Sequence, residues 1–212
     1  IGDLVAVKIC GVTTVEDAEL CVTAGADAIG LNFYAGSPRY VSLETARRIV
    51  DAIAGRALTV GVFVDATFEQ ILANKEQTQI ACVQLHGDES PEQLSRLLPH
   101  AYKAIRVRDA ASLTLARRYA GRHILLDAYV AGQAGGTGAR FPWEFAAELA
   151  RERHVTLAGG LDPDNVAEAV ACVQPFCVDV ASGVERAPGL KDPERVRAFI
   201  AAAKAGLPKP AA

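Results

Sequence analysis

Leu4-Val5-Ala6-Val7-Lys8-Ile9-Cys10-Gly11-Val12-Thr13 decides between two architectures. Its first six residues alternate small and branched apolar side chains around one lysine, the pattern of a buried strand over 4–9. An open, doubly wound sheet would follow that strand with a Gly-x-Gly-x-x-Gly turn. Here Gly11 stands alone before Val12-Thr13. Seven more β-branched runs follow, over 28–33, 58–64, 80–85, 102–105, 124–126, 155–158 and 176–180. They recur at roughly the 22–25-residue interval of one strand–helix unit. Helical patterns fill the gaps: 14–22 with Glu16 and Asp17 in its first turn, and 42–53 with Ala46, Ile49, Val50 and Ile53 at helical spacing. Pro91, Pro142, Pro163 and Pro193 are expected at helix starts, where proline is tolerated. Without the glycine fingerprint, the α/β pattern predicts a single closed parallel eight-stranded (β/α)8 TIM barrel over 1–206, with 207–212 as a tail.

Side-chain parity locates the working end. Val5, Val7 and Ile9 share one strand face, and Ala6, Lys8 and Cys10 share the other. The same split sets Val83 and Leu85 against Cys82, Gln84 and His86, and Val178 and Val180 against Cys177, Asp179 and Ala181. The apolar sets should pack on the helices. The polar sets then point inward and gather at the C-terminal strand ends, where this fold places its active sites. Lys8 and Asp179 lie on strands that become neighbours on closure, so an ion pair is expected between them. His100, His123 and His154 sit at strand beginnings, at the opposite end, and read as structural; Trp143 reads as a packing residue.

Composition narrows the class. The 212 residues are 50% hydrophobic and 22% charged, with net charge −3, which argues against a nucleic-acid surface. No run nears the ~18 apolar residues of a membrane span, and no signal-peptide pattern opens the chain. Five cysteines with no Cys-x-x-Cys spacing suit a reducing cytoplasm better than disulfides or zinc.

Several phrases meet at the predicted mouth: Lys8-Ile9-Cys10-Gly11-Val12-Thr13, Ser37-Pro38-Arg39-Tyr40, Gly61-Val62-Phe63-Val64, Gln84-Leu85-His86-Gly87, Leu126-Asp127 with Gly135-Gly136-Thr137-Gly138, Leu157-Ala158-Gly159-Gly160-Leu161, and Val178-Asp179-Val180-Ala181-Ser182-Gly183-Val184-Glu185. In this order they resemble the phosphoribosylanthranilate isomerase family, from Lys8 to about Ile200. The resemblance implies an intramolecular aldose–ketose isomerase of tryptophan biosynthesis. Its reaction converts N-(5-phosphoribosyl)anthranilate into 1-(2-carboxyphenylamino)-1-deoxyribulose 5-phosphate by general acid/base catalysis. That chemistry needs positioning, an acid, a base and a phosphate anchor, and implies no cofactor and no metal.

Residue by residue, the resemblance makes Cys10 the general base and Asp127 the general acid. A thiol of pKa ~8.5 is a few per cent ionised at neutral pH, so Lys8 and helix N-termini would have to favour the anion. An aspartate of pKa ~3.9 needs burial or a neighbouring negative charge before it can donate a proton. Arg39 matches the partner of the anthranilate carboxylate, a planar group that suits a guanidinium fork. Gly159, Gly160, Ser182 and Gly183 match the phosphate loops after strands 7 and 8. His86 would orient substrate or water, or serve a structural role, and Asp179 would contact a ribose hydroxyl as the alternative to Lys8. Residues 128–140 read as a loop over the site. Pro142 stands where the family commonly has aspartate, which removes an acidic group from that helix start.

The expected partner is a small phosphosugar, with no nucleic acid and no membrane, and the chain a monomer or homodimer. The runner-up is another phosphosugar isomerase of this barrel class, of the histidine-pathway or dual-specificity type. Such enzymes tend to use two aspartates and show a half-barrel repeat, and Gly61-Val62-Phe63-Val64-Asp65-Ala66 has no echo four strands later. A carboxylating or decarboxylating barrel would need an inward lysine or a metal cluster near the substrate, and Lys8 and Lys103 are the lysine candidates. A non-catalytic phosphosugar-binding barrel should have lost Cys10 or Asp127.

Overall fold

In the computed structural model, which describes residues 5–127 and 141–206, eight parallel strands close into one barrel in sequence order. The strands are β1 (Ala6–Cys10), β2 (Ala28–Asn32), β3 (Leu58–Phe63), β4 (Cys82–Leu85), β5 (Ala101–Arg106), β6 (His123–Asp127), β7 (His154–Ala158) and β8 (Cys177–Val180). The helices between and after them are α1 (Val15–Thr23), α2 (Leu43–Ile53), α3 (Phe68–Thr78), α4 (Pro91–Leu97), α5 (Ala110–Arg117), α6 (Phe141–Ala150), α7 (Val166–Val173) and α8 (Pro193–Ala205). After β8 the chain makes a 3-10 turn (Ser182–Val184) and a small antiparallel pair, β9 (Glu185–Ala187) and β10 (Leu190–Lys191). The loop expected over the site at 128–140 and the tail at 207–212 lie outside the described residues.

Parity is as the sequence predicts. Val7, Ile9, Val83, Leu85, Val178 and Val180 are buried in the layer between strands and helices, where full burial of a branched side chain stabilises by about 1.5–3 kcal/mol. The inside of the barrel holds a separate cluster of Ala28, Val60, Tyr102, Ala104, Leu125 and Ala158. Half of that cluster is alanine, and the buried Lys8 side chain lies inside the barrel as well. A Cβ on Gly30 would lie 2.6 Å from the Cys10 Sγ and 3.1 Å from the Lys8 Nζ, so glycine at this position admits both. β1 closes on β8 with Lys8 opposite Asp179, and the expected ion pair forms at 2.8 Å with both side chains buried.

The helix starts follow local chemistry. Thr14 and Ser42 cap α1 and α2, and capping boxes at Thr67/Gln70 and Ser90/Gln93 open α3 and α4. Pro91 and Pro193 are the first residues of their helices, and Pro142 is the second residue of α6, whose first turn takes its acidic group from Glu144. Pro163 departs from expectation, because α7 begins only at Val166. The Asp162 Oδ1 accepts from Asp164 N and Asn165 N, and the Asn165 Oδ1 accepts from Asp162 N, so side chains hold this stretch as a turn. Lys103 faces away from the barrel interior, 3.1 Å from Glu89. Lys8, the other candidate lysine, is the one that points inward, paired with Asp179.

Candidate active site

The C-terminal ends of the strands surround a cavity of about 340 Å3. It is lined by Cys10, Arg39, His86, Asp127, Gly159, Gly160, Asp179 and Ser182, so eight of the nine predicted site residues share one wall. Gly183 does not. A Cβ there would collide with the Leu161 carbonyl, so this glycine lets the loop after β8 sit against the loop after β7. A wider cleft of about 720 Å3 opens between the loops after β4 and β5; it shares His86 but contains neither Cys10 nor Asp127.

Cys10 closes β1, and burial pushes its thiol above the usual range. The Lys8 charge, a Lys8 hydrogen bond and the more distant Lys191 pull it down, Asp179 adds to the upward push, and the net shift is upward. The expected stabilisation of the anion by Lys8 is therefore present but outweighed by desolvation. Burial also opposes the charge on Lys8 itself, and Asp179 more than compensates, leaving Lys8 well above its ordinary value. Asp179 uses Oδ2 for this pair; its Oδ1 is buried and has no hydrogen-bond partner among the described residues.

Asp127 ends β6, three strands from Cys10 around the barrel by way of β7 and β8. Its Oδ2 lies 3.7 Å from the His86 Nε2, with both side chains about a quarter exposed. A polar chain leads to this pair from inside the barrel. The buried Tyr102 hydroxyl donates to the Gln84 Oε1 (2.9 Å), and the Gln84 Nε2 lies 2.9 Å from the His86 Nδ1. With the amide so oriented, Gln84 donates to Nδ1 and the imidazole proton sits on Nε2, facing Asp127.

The turn after β7 carries Gly159 at φ +95° and Gly160 at φ +64°, backbone that side-chain-bearing residues rarely adopt. Asn165 fastens it by donating from Nδ2 to the Gly160 carbonyl (2.9 Å). Arg39, from the loop after β2, makes a two-point contact with Glu185, Nε to Oε1 at 2.8 Å and Nη2 to Oε2 at 2.7 Å. The sequence reading anticipated neither this contact nor Lys191, whose Nζ lies 2.9 Å from the Glu185 Oε1. Nothing in the spacing of Glu185 after Ser182-Gly183-Val184 points to a residue 146 positions away. Asn32, Ser37 and Gln84 also line the cavity. Their signal was strand parity for Asn32 and Gln84, and proximity to Arg39 for Ser37.

Comparison with known proteins agrees along nearly the whole chain. The model of the N-(5'phosphoribosyl)anthranilate (PRA) isomerase family matches residues 7–202. The N-(5'-phosphoribosyl)anthranilate isomerase of Geobacter sp. strain M21 is 49% identical over 198 residues, which cover 93% of this chain and 97% of the relative. The crystal structure of the phosphoribosyl anthranilate isomerase from Thermotoga maritima is similar at TM-score 0.86 and 40% identity, covering 95% of this chain and 99% of that one. A second structure, a phosphoribosyl anthranilate isomerase in complex with reduced 1-(o-carboxyphenylamino)-1-deoxyribulose 5-phosphate, aligns at TM-score 0.84 and 39% identity over 95% and 99% of the two chains. With the matched residues spanning β1 to α8 and the mouth built from the same phrases, the chain belongs to the phosphoribosylanthranilate isomerase family.

Proposed function

We propose that this cavity performs the family's Amadori rearrangement, with Cys10 as base and Asp127 as acid. The observation that carries the reading is an arrangement: thiol and carboxyl line one cavity from β1 and β6, and the glycine turns after β7 and β8 lie between them. A phosphate seated at those turns directs the sugar so that its two reacting sides meet the two groups. Arg39 takes the anthranilate carboxylate at the other end, and Asp179, which lines the same cavity, accepts from a ribose hydroxyl.

In the reaction, protonated Asp127 gives its proton to the ring oxygen and the C1–O bond breaks, leaving an iminium at C1. The Cys10 thiolate removes the C2 proton, forming an enolamine that ketonises by losing the O2 proton and gaining one at C1. Each turnover leaves a thiol and a carboxylate, so a proton must pass from Cys10 to Asp127, directly or through solvent, before the next. His86, with Nε2 3.7 Å from the Asp127 Oδ2, faces the acid from the end of β4.

The test is turnover of phosphoribosylanthranilate, generated in place from anthranilate and phosphoribosyl pyrophosphate with EDTA present and followed by loss of substrate fluorescence. The expected result is loss that depends on this protein and disappears in Cys10→Ala. A folded wild-type protein with no turnover would overturn the assignment.

A further inference from the structure

Behind the Arg39 corner of the cavity lies a second, fully buried cation. Lys191, the last residue of β10, has a side chain that is 0% exposed. Its Nζ donates to the Cys10 carbonyl (2.6 Å), the Ala181 carbonyl (3.4 Å) and the Glu185 Oε1 (2.9 Å). These three acceptors match the three protons of an ammonium. Glu185, itself 4% exposed, gives Oε1 to both Lys191 and the Arg39 Nε and Oε2 to the Arg39 Nη2. Burial works to raise the Glu185 carboxyl, and hydrogen bonds from Arg39 and Lys191 more than reverse it, so Glu185 is ionised.

The charges then decide what the corner can bind. Arg39 and Glu185 alone form a two-point pair of zero net charge, a poor anchor for an anion. Adding Lys191 brings these three groups to +1; the buried Asp17 carboxylate, which accepts from the Lys191 backbone N–H at 3.0 Å, is not part of the cavity lining, and only Arg39 among the four lines the cavity. Carrying a buried ammonium is costly unless its charge is matched and its protons are used. Here the protons are used, but the charge is not cancelled within the cluster, which leaves it complementary to an incoming carboxylate.

We propose that Lys191 is a positioning residue that sets the sign of charge at the Arg39 corner, making it selective for a substrate that carries a carboxylate on its aglycone. The proposal rests on the reading of this cavity as the isomerase site. Through the carbonyls of Cys10 and Ala181, the same ammonium ties the base strand and the phosphate turn to that corner.

The experiment measures alkylation of Cys10 by anionic iodoacetate and neutral iodoacetamide, counted at the Cys10 peptide by mass spectrometry so that the exposed Cys172 is scored separately. Both reagents need the same thiolate, so the ratio of their rates reads local charge and not thiol ionisation. Lys191→Met should lower the iodoacetate-to-iodoacetamide ratio about three- to tenfold, the scale of removing one nearby unit charge in a partly solvated site. Lys191→Met with Glu185→Gln restores a net +1 and should restore the ratio. Glu185→Gln alone leaves Lys191 in place and should raise the ratio above wild type, which keeps the test decisive if Lys191→Met fails to fold. In turnover, Lys191→Met should raise KM by a larger factor than it lowers kcat, and the double variant should recover KM. An unchanged ratio in the folded variants, or a double variant no better than Lys191→Met, would overturn the proposal. Ratios that move as expected in a protein without turnover would instead count against the isomerase reading and leave the charge assignment standing.

Discussion

The two ends of the barrel treat histidine in opposite ways. At the floor, His123 and His154 open β6 and β7 and pack as rings: His154 stacks on Phe176 at 4.2 Å and 7°, while His123 meets Phe176 edge-on at 4.7 Å and His154 edge-on at 5.1 Å. Burial lowers His123 to about 4 and lowers His154 as well, so both serve as neutral aromatic packing. At the mouth, His86 has a donor on one ring nitrogen and a carboxylate facing the other. Tyr102 joins the two ends, its ring 6.1 Å from His123 and its hydroxyl on Gln84. Residue type alone does not assign a role; position along the strand does, because the start of a strand meets rings and its end meets charges.

The sharpest break between the ends is catalytic. Cys10→Ala and Asp127→Asn should each lower kcat by about 10²–10⁴-fold with thermal stability retained, and a variant that turns over at the wild-type rate would remove that residue from its role. The barrel between the ends is tested next. Lys8→Met leaves Asp179 as an uncompensated buried charge and should cost about 3–5 kcal/mol in denaturant unfolding, most of it recovered when Asp179→Leu is added. Equal losses in single and double variants would mean the pair matters for its volume and not for its charge. At the rim of the mouth, Arg39→Ala should raise KM roughly 10–100-fold with kcat little changed, since it removes binding common to ground and transition states; a loss confined to kcat would contradict that role.

The smallest effect belongs to the floor. His123 falls from 6.5 to about 4 on folding, so the unfolded chain takes up the proton first as pH drops. Its contribution is complete above pH ~6.5 and is lost between there and ~4, amounting to about 1–2 kcal/mol once solvent screening of a half-buried ring is allowed for. His123→Phe should flatten this part of the stability–pH curve, read from unfolding midpoints at pH 7 and 4.5. A variant as acid-sensitive as wild type would place the proton uptake elsewhere.

Much of this layout is legible in the sequence because the barrel repeats a local rule. Period-two alternation alone sorts Lys8, Gln84, His86 and Asp179 inward, and closure of the first strand on the last brings Lys8 to Asp179. What alternation does not carry is the chain beyond β8. The β9–β10 pair obeys no barrel period, so Glu185 and Lys191 gave no sign that they close on Arg39 and Cys10. Pro163 misled because a proline signals a helix start, whereas the side chains of Asp162 and Asn165 claim that turn first. For Cys10, charge neighbours were readable and depth was not, and depth decides the direction of its shift.

Closure of β1 on β8 also has a consequence for synthesis. Lys8 meets a partner 171 positions later, and the Cys10 carbonyl meets one 181 positions later. A ribosome adding about 5–20 residues per second holds β1 without its neighbour for on the order of 10–30 s. Through that wait the growing sheet is open, with an unpaired edge that invites association with other chains. Premature termination anywhere before Asp179 therefore yields no enzyme of reduced rate, only an unclosed sheet and a burden on the cell's quality control.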